Sequence, residues 1–338
     1  MKAIVLVEPR KFVIEERPVP KPGPNEALIK VKVAGICGSD LHGFRGTQPF
    51  ITYPRVMGHE FSGEIAALGP GYSGPFREGD RVVVDPVVNC GRCYACRTGN
   101  HNVCREVEVL GVHRDGAFAE YLTVRTDRVH KMPADLDFST AALLEPLSIG
   151  AEANRRASVR DGDQLVIIGA GPIGLVSLLI AKTKDTQVMI TDRIQSRLDL
   201  AKQLGADRVV NIDEEDPHKA VEEFTNGEGA SAVIEAVGLE ATIRQSMEFV
   251  APSGRIAILG LSEGDLKLPV ILLIKKGVDF HGSRLNCNQF PGVINLLASG
   301  RIDPRPLISR EYPFEEIKEA MRSFDESPEE VTKVLLKF

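Results

Sequence analysis

Four cysteines within fifteen residues carry the clearest chemistry in the chain. Cys90, Cys93, Cys96 and Cys104 follow the spacing Cys-x2-Cys-x2-Cys-x7-Cys. Four thiolates so placed can close a tetrahedral zinc site with no open position, which holds a loop that has little core of its own. The same spacing admits an iron–sulfur cluster, a redox thiol pair or unligated buried cysteines. A second set is more scattered. Cys37 lies in CGSDLH (37–42), and His59 and Glu60 lie in GHEF (58–61). Thiolate, imidazole and carboxylate all ligate zinc. Taken singly, though, a cysteine is most often a buried apolar residue, and a lone His or Glu a satisfied or solvated one.

A third signal concerns phosphate. Gly169-Ala170-Gly171-Pro172-Ile173-Gly174 follows the apolar run LVII (165–168) and opens a helical pattern. That strand–turn–helix setting is the one a dinucleotide fingerprint requires. Gly169 permits the tight turn, Gly171 lets backbone approach a pyrophosphate, and Gly174 lets helix and strand pack closely. The helix N-terminus favours the negative charge. Asp192 ends the next strand and can accept hydrogen bonds from adenosine ribose hydroxyls, which favours NAD over NADP. Arg193 and Arg197 lie nearby and could blunt that preference. A Gly-rich structural turn with a helix-capping aspartate is the bland alternative.

These residues need elements to hold them. The first part of the chain reads as β-rich, with runs at 27–35, 81–85 and 118–124 punctuated by Pro/Gly turns. Residues 138–156 have helical spacing. Beyond them, strands at 165–168, 187–191, 208–211, 232–236, 255–259 and 278–282 alternate with helical patterns at 173–184, 196–204, 218–225, 240–250 and 269–276. Six strands with intervening helices predict a doubly wound parallel sheet. Two more helices, 289–299 and 314–325, and a final strand close the chain. The 338 residues are long enough for two domains.

Composition narrows the functional classes. Apolar residues are 43% and charged residues 26%, ordinary globular usage. The net charge of −6 comes with no long basic block, so nucleic acid is not an expected partner. No apolar run reaches the roughly 18–20 residues that span a bilayer. The N-terminus reads as a strand and not as a secretion signal, so a cytoplasmic enzyme is expected.

CGSD, GHEF, the four-cysteine loop and GAGPIG with Asp192 occur in the order, and at close to the spacing, found in zinc-containing medium-chain alcohol dehydrogenases. The resemblance spans essentially the whole chain. Within that superfamily the chain resembles the polyol and L-threonine dehydrogenase branch. Residues 37–60 and 283–297 are most similar to the sugar-acid 5-dehydrogenases. The implied fold is α/β: a β-rich GroES-like catalytic domain (1–149 and 285–338) and a doubly wound Rossmann NAD-binding domain (150–284). The implied cofactors are NAD and two zinc ions, one structural and one catalytic.

Residue by residue, the resemblance makes Cys37, His59 and Glu60 the catalytic zinc ligands and Glu145 a carboxylate that binds the metal or its water. Liver-type enzymes have a cysteine at that last position. Ser39 would pass the substrate proton through the cofactor ribose towards His42. Ile173, Asp192 and Arg197 would contact the adenosine half. Leu259, Gly260 and Leu261, with Ser283 and Arg284, would lie along the nicotinamide half, Val237 being a weaker candidate. Arg45, His113 and Arg284 are cations that could meet a polyhydroxy acid, and Arg45 or Arg284 could pair with its carboxylate. The expected reaction takes a hydride from a secondary alcohol to NAD+. A neutral polyol, an inositol and L-threonine stand as alternative substrates, and a non-catalytic regulator as a distant one. Family members are usually dimers or tetramers, so a homo-oligomer, for instance a homotetramer, is expected.

Overall fold

The computed structural model describes residues 1–260, 265–327 and 329–338. It forms two compact units. One comprises Met1–Glu145, Phe290–Gly300 and Pro304–Phe338, the other Pro146–Gln289 and Arg301–Asp303. The exchanges fall a few residues from the limits of 149 and 284 that the sequence suggests.

The first unit is built on a seven-stranded sheet. Its path runs 129–131, 81–84, 60–68, 26–36, 333–337 and 308–313, with 121–125 also pairing to 26–36. The central strand Glu26–Ile36 is flanked by these neighbours and is buried at most positions. That explains its nearly continuous apolar run, where a half-exposed strand would alternate. The C-terminal strand Lys333–Lys337 pairs antiparallel with this same strand, Val334 opposite Ile36 and Leu335 opposite Gly35. On the other side Gly35 lies opposite Glu60. A smaller sheet joins 2–8, 11–16 and 55–56.

The expected helical stretch 138–156 is two helices, Phe138–Ala142 and Leu144–Arg156. Asp137 caps the first, its carboxylate accepting the Thr140 N–H at 2.9 Å. The Ser62 hydroxyl donates to the Phe138 carbonyl at 2.6 Å, tying that helix start to strand 60–68.

The second unit is a six-stranded, wholly parallel sheet in the spatial order 208–211, 187–192, 164–168, 230–235, 250–258, 279–282. All six strands coincide with the sequence expectation to within a few residues. The order starts at the third strand, runs back to the first, then continues with the fourth to the sixth. It therefore reverses beside 164–168, the place where doubly wound sheets bind ligands. Val166, Met189, Val210, Val233 and Ile256 form its core. The inner strands 164–168, 187–192 and 230–235 are buried at most positions and mostly apolar, as strands covered on both faces are. No helix among the described residues is long and apolar enough to cross a membrane.

Candidate metal centres and nucleotide site

The four cysteines of the 90–104 loop converge. Cys93 Sγ lies 3.5 Å from Cys96 and 3.8 Å from Cys104, and Cys104 lies 3.5 Å from Cys90. A tetrahedron of sulfurs about zinc has edges of about 3.8 Å, given Zn–S bonds of about 2.3 Å. A disulfide needs about 2.05 Å, and a multi-iron cluster needs its ligands spread wider. Backbone donors already point at the sulfurs. N–H groups of Cys90 and Glu106 each lie 3.3 Å from Cys104 Sγ. Backbone N–H donation, first from Arg105 and then from Cys96, lowers the Cys93 thiol to about 6. Burial drives Cys104 up to about 11. The loop thus favours a thiolate at one corner, and a cation is needed to draw the proton from another. The residues fit a structural zinc.

The second centre is assembled by the sheet. Cys37 directly follows the central strand and caps helix Gly38–Arg45. Its N–H donates to Asp40 Oδ2 at 2.9 Å. His59 directly precedes the neighbouring strand and Glu60 begins it, its register setting Glu60 opposite Gly35. One donor atom each from Cys37, His59 and Glu60 lies within 4.8 Å of the other two. His59 Nδ1 is buried and accepts or donates no hydrogen bond, lying 3.8 Å from Asp40 Oδ1. Burial acts to lower the His59 pKa, but the charges of Asp40, Cys37 and Glu145 outweigh it and hold it well above the ordinary range. Glu145, in the first turn of Leu144–Arg156, stands outside the tight trio. Burial pushes its carboxyl up to about 8, although His59 pulls the other way. Protons therefore collect on a buried group of anionic donors, the behaviour of a site built around a cation. These residues fit a catalytic zinc.

Two neighbours of this centre are not legible as such in the sequence. Asp40 reads there only as a helix cap; in the fold it is 1% exposed and faces His59. Lys333 reads as an ordinary strand-end lysine. It is 3% exposed, and its Nζ lies 2.7 Å from both carboxylate oxygens of Glu60 and 3.3 Å from the Ile36 carbonyl. Gly35 makes the pair possible, since a Cβ there would stand 2.3 Å from Glu60 Oε2. No local sequence pattern signals a contact between residues 60 and 333.

Among the proposed relay and substrate residues, Ser39 Oγ lies 3.5 Å from His59 Nε2. His42 is exposed, its Nδ1 3.0 Å from Thr47 Oγ1. His113 Nδ1 accepts the Val109 N–H at 3.1 Å and its ring stacks on Phe50. Arg45 is drawn to Asp325, to which its Nε donates at 2.8 Å and its Nη2 donates as well.

The second unit forms a phosphate-binding turn at the strand-order reversal. Gly169 has φ +99°, and a Cβ on Gly174 would fall 1.9 Å from the Gly169 carbonyl oxygen. Gly171 caps the helix Pro172–Ala181, and a Cβ built on it meets nothing within 4 Å, an open cradle at a helix N-terminus. Asp192 Oδ2 accepts the Ala170 N–H at 2.7 Å, while Oδ1 accepts those of Arg193 and Ile194 at 2.8 and 2.9 Å. Ile173 and Arg197 lie in the first turns of the helices that follow these two strands.

Further along the same sheet end, Val237 Cγ2 would press on a Gly169 Cβ at 2.7 Å, and Gly260 packs on Gly238. The Leu259 N–H donates to the Glu235 carbonyl at 2.9 Å, and the Ser283 N–H to the Ile258 carbonyl at 2.8 Å. Ser283 Oγ is buried with no partner. Arg284 is exposed. Leu261 lies outside the described residues. The cradle and the acceptor carboxylate fit a dinucleotide.

Family models agree with this geometry. Residues 23–134 match the alcohol dehydrogenase GroES-like domain, and residues 172–299 match the zinc-binding dehydrogenase family. The chain is 37% identical to a sorbitol dehydrogenase of Bacillus subtilis over 99% of this chain and 97% of that one. It is also 37% identical to the L-galactonate-5-dehydrogenase of Escherichia coli over 94% of each. The crystal structure of the alcohol dehydrogenase rspB of Escherichia coli CFT073, complexed with NADH, superposes with a TM-score of 0.95 at 37% identity, covering 100% of this chain and 99% of that one.

Proposed function

The chain belongs to the zinc-containing medium-chain alcohol dehydrogenases, in their sorbitol- and threonine-dehydrogenase-like branch, and on that premise we propose that it oxidises a secondary alcohol of a polyol or sugar acid to the ketone. Zinc-dependent, NAD-linked alcohol dehydrogenation is its activity. The observation that carries the finer reading is the donor set. Cys37, His59 and Glu60 are mutually close, and the further candidate ligand, Glu145, whose charge acts on His59, is a carboxylate and not a thiol. Carboxylate completion is the polyol-branch pattern.

Cys37, His59 and Glu60 would hold zinc, which would supply Lewis acidity towards the substrate hydroxyl and so ease loss of its proton near neutral pH. The remaining tasks belong to the chain. Ser39, beside His59, accepts the hydroxyl proton, and exposed His42 exchanges it with solvent. Asp40 and Lys333 hold His59 and Glu60 in place. Glu145, buried beside this group, would bind the metal or its water. Ile173, Asp192 and Arg197 take the adenosine half of NAD, and Val237, Leu259, Gly260, Ser283 and Arg284 the nicotinamide half. The enzyme works as a homodimer or homotetramer, as its family commonly does.

The test is NADH formation across a panel of neutral polyols, aldonic acids, inositols and L-threonine, with zinc counted on the same preparation. A polyol or sugar acid should exceed the other classes in kcat/KM by at least about tenfold, or roughly 1.4 kcal/mol of transition-state binding. L-Threonine as the best substrate would replace this reading.

One observation favours a neutral polyol over a sugar acid: the Arg45 guanidinium is already paired with Asp325. Arg45→Ala is therefore expected to change kcat/KM for an aldonic acid by less than about threefold. A loss of tenfold or more, confined to acidic substrates, would assign the substrate carboxylate to Arg45.

A further inference from the structure

The residue after Asp192 is an arginine, the side chain that accommodates a 2′-phosphate in NADP enzymes when it stands near the ribose. In this fold it is not at liberty to do so. Arg193 Nε donates to both carboxylate oxygens of Asp213, each at 3.1 Å. Asp213 is itself placed by local structure. Strand 208–211 pairs with strand 187–192 so that Asn211 lies opposite Asp192. The Asn211 Oδ1 then accepts the Asp213 N–H at 3.1 Å, an Asx turn, while its Nδ2 donates to Gln195 Oε1 at 3.2 Å. Two successive strand ends thus deliver Asp192, Arg193 and Asp213 to one edge of the nucleotide site.

We propose that Asp213 is a second coenzyme-selectivity residue, which disfavours NADP by withdrawing Arg193 from the 2′ position. The proposal rests on the NAD-linked reading of this site. With Asp192 alone, a 2′-phosphate would meet one carboxylate and could be offset by the adjacent guanidinium, which suits bidentate phosphate contact. With Asp213 present, that guanidinium is drawn aside and its Nε–H is spent on Asp213. Both side chains of the pair are largely exposed, 72% for Arg193 and 52% for Asp213. The arginine therefore needs no repacking to swing to a phosphate once Asp213 is neutral.

The test uses the full-length protein and two probes that differ by one phosphate, 5′-AMP and 2′,5′-ADP, titrated calorimetrically. The quantity read is the ratio of the two dissociation constants, which needs no turnover. Asp213→Asn should shift that ratio at least about fivefold towards 2′,5′-ADP. In an Arg193→Gln background the same substitution should shift it twofold or less, because no guanidinium remains to be released. NADP-dependent kcat/KM should follow the same pattern. No shift in Asp213→Asn overturns the proposal. An equal shift with and without Arg193 also overturns it, since plain charge repulsion would then suffice. If neither probe nor NAD binds the unaltered protein, the nucleotide reading itself falls and takes the proposal with it. Binding of 5′-AMP with an unchanged ratio sinks the proposal alone.

Discussion

Lys333→Met is expected to destabilise the zinc-free protein by about 3–5 kcal/mol, the cost of removing one partner from a buried ion pair. Lys333 and Glu60 are almost wholly inaccessible, and the ammonium touches both carboxylate oxygens at 2.7 Å. Methionine preserves most of the volume and removes the charge, so the loss reports the uncompensated carboxylate and not a cavity. Zinc supplies a second counter-charge on the same carboxylate. The loaded protein should therefore lose clearly less stability, and chelation should hurt the variant more than the parent. Denaturant midpoints measured with and without zinc decide this. An equal loss in both forms would mean that Glu60 does not face the metal, and the Cys37/His59/Glu60 assignment would fail with it. Cobalt-substituted protein offers a second readout, since a change in Glu60 coordination alters the ligand field.

Cys93→Ser is expected to take the zinc content from two per chain to one and to open the 90–104 loop. That loop has a four-residue helix with no buried residue and one short 3-10 turn. Buried His101 and Asn102 and the paired strands 87–88 and 108–109 anchor its base. In small zinc modules the metal supplies roughly 10–16 kcal/mol of apparent binding free energy at neutral pH. Even a tenth of that, about 1.4 kcal/mol, raises the open population tenfold. Trypsin should then cut at Arg92, Arg97 and Arg105, exposed or half-buried positions in and around the loop, at least about ten times faster than in the parent. The remaining zinc should stay with Cys37, His59 and Glu60, and some activity with it. Loss of both metals together with all activity would show one interdependent centre where two are drawn here.

The two centres were unequally legible. Cys90 to Cys104 are close in sequence and sit on one loop, so spacing alone comes near to stating the ligand set. The glycine fingerprint is legible for the same reason, because a turn between one strand and the next helix is local. Cys37 and His59 are separated by a full strand exchange. Spacing cannot show that the register places Glu60 opposite Gly35, and without family resemblance the trio would pass for three ordinary residues. Asp40 shows in the sequence only as a residue able to cap the helix, because capping is all that its near neighbours reveal. It does hold the Cys37 N–H, and it also faces His59 across the helix start. Arg45 shows the converse. A lone cation near a substrate region invites a carboxylate partner, and the fold provides one from its own helix, Asp325.

The structural zinc loop and the NAD-binding turn were therefore written into the chain by residue type and short-range spacing, since thiolates within one loop and glycines within one turn meet whatever the rest of the fold does. Tertiary structure alone decided which charges answer which. Lys333 reaches Glu60 because the last strand returns beside the central one and Gly35 leaves the gap. Asp213 reaches Arg193 because two parallel strands end at the same edge. Such pairs join residues far apart in sequence through strand register, and register is fixed by the burial of whole strands, not by any motif around the charged residues themselves.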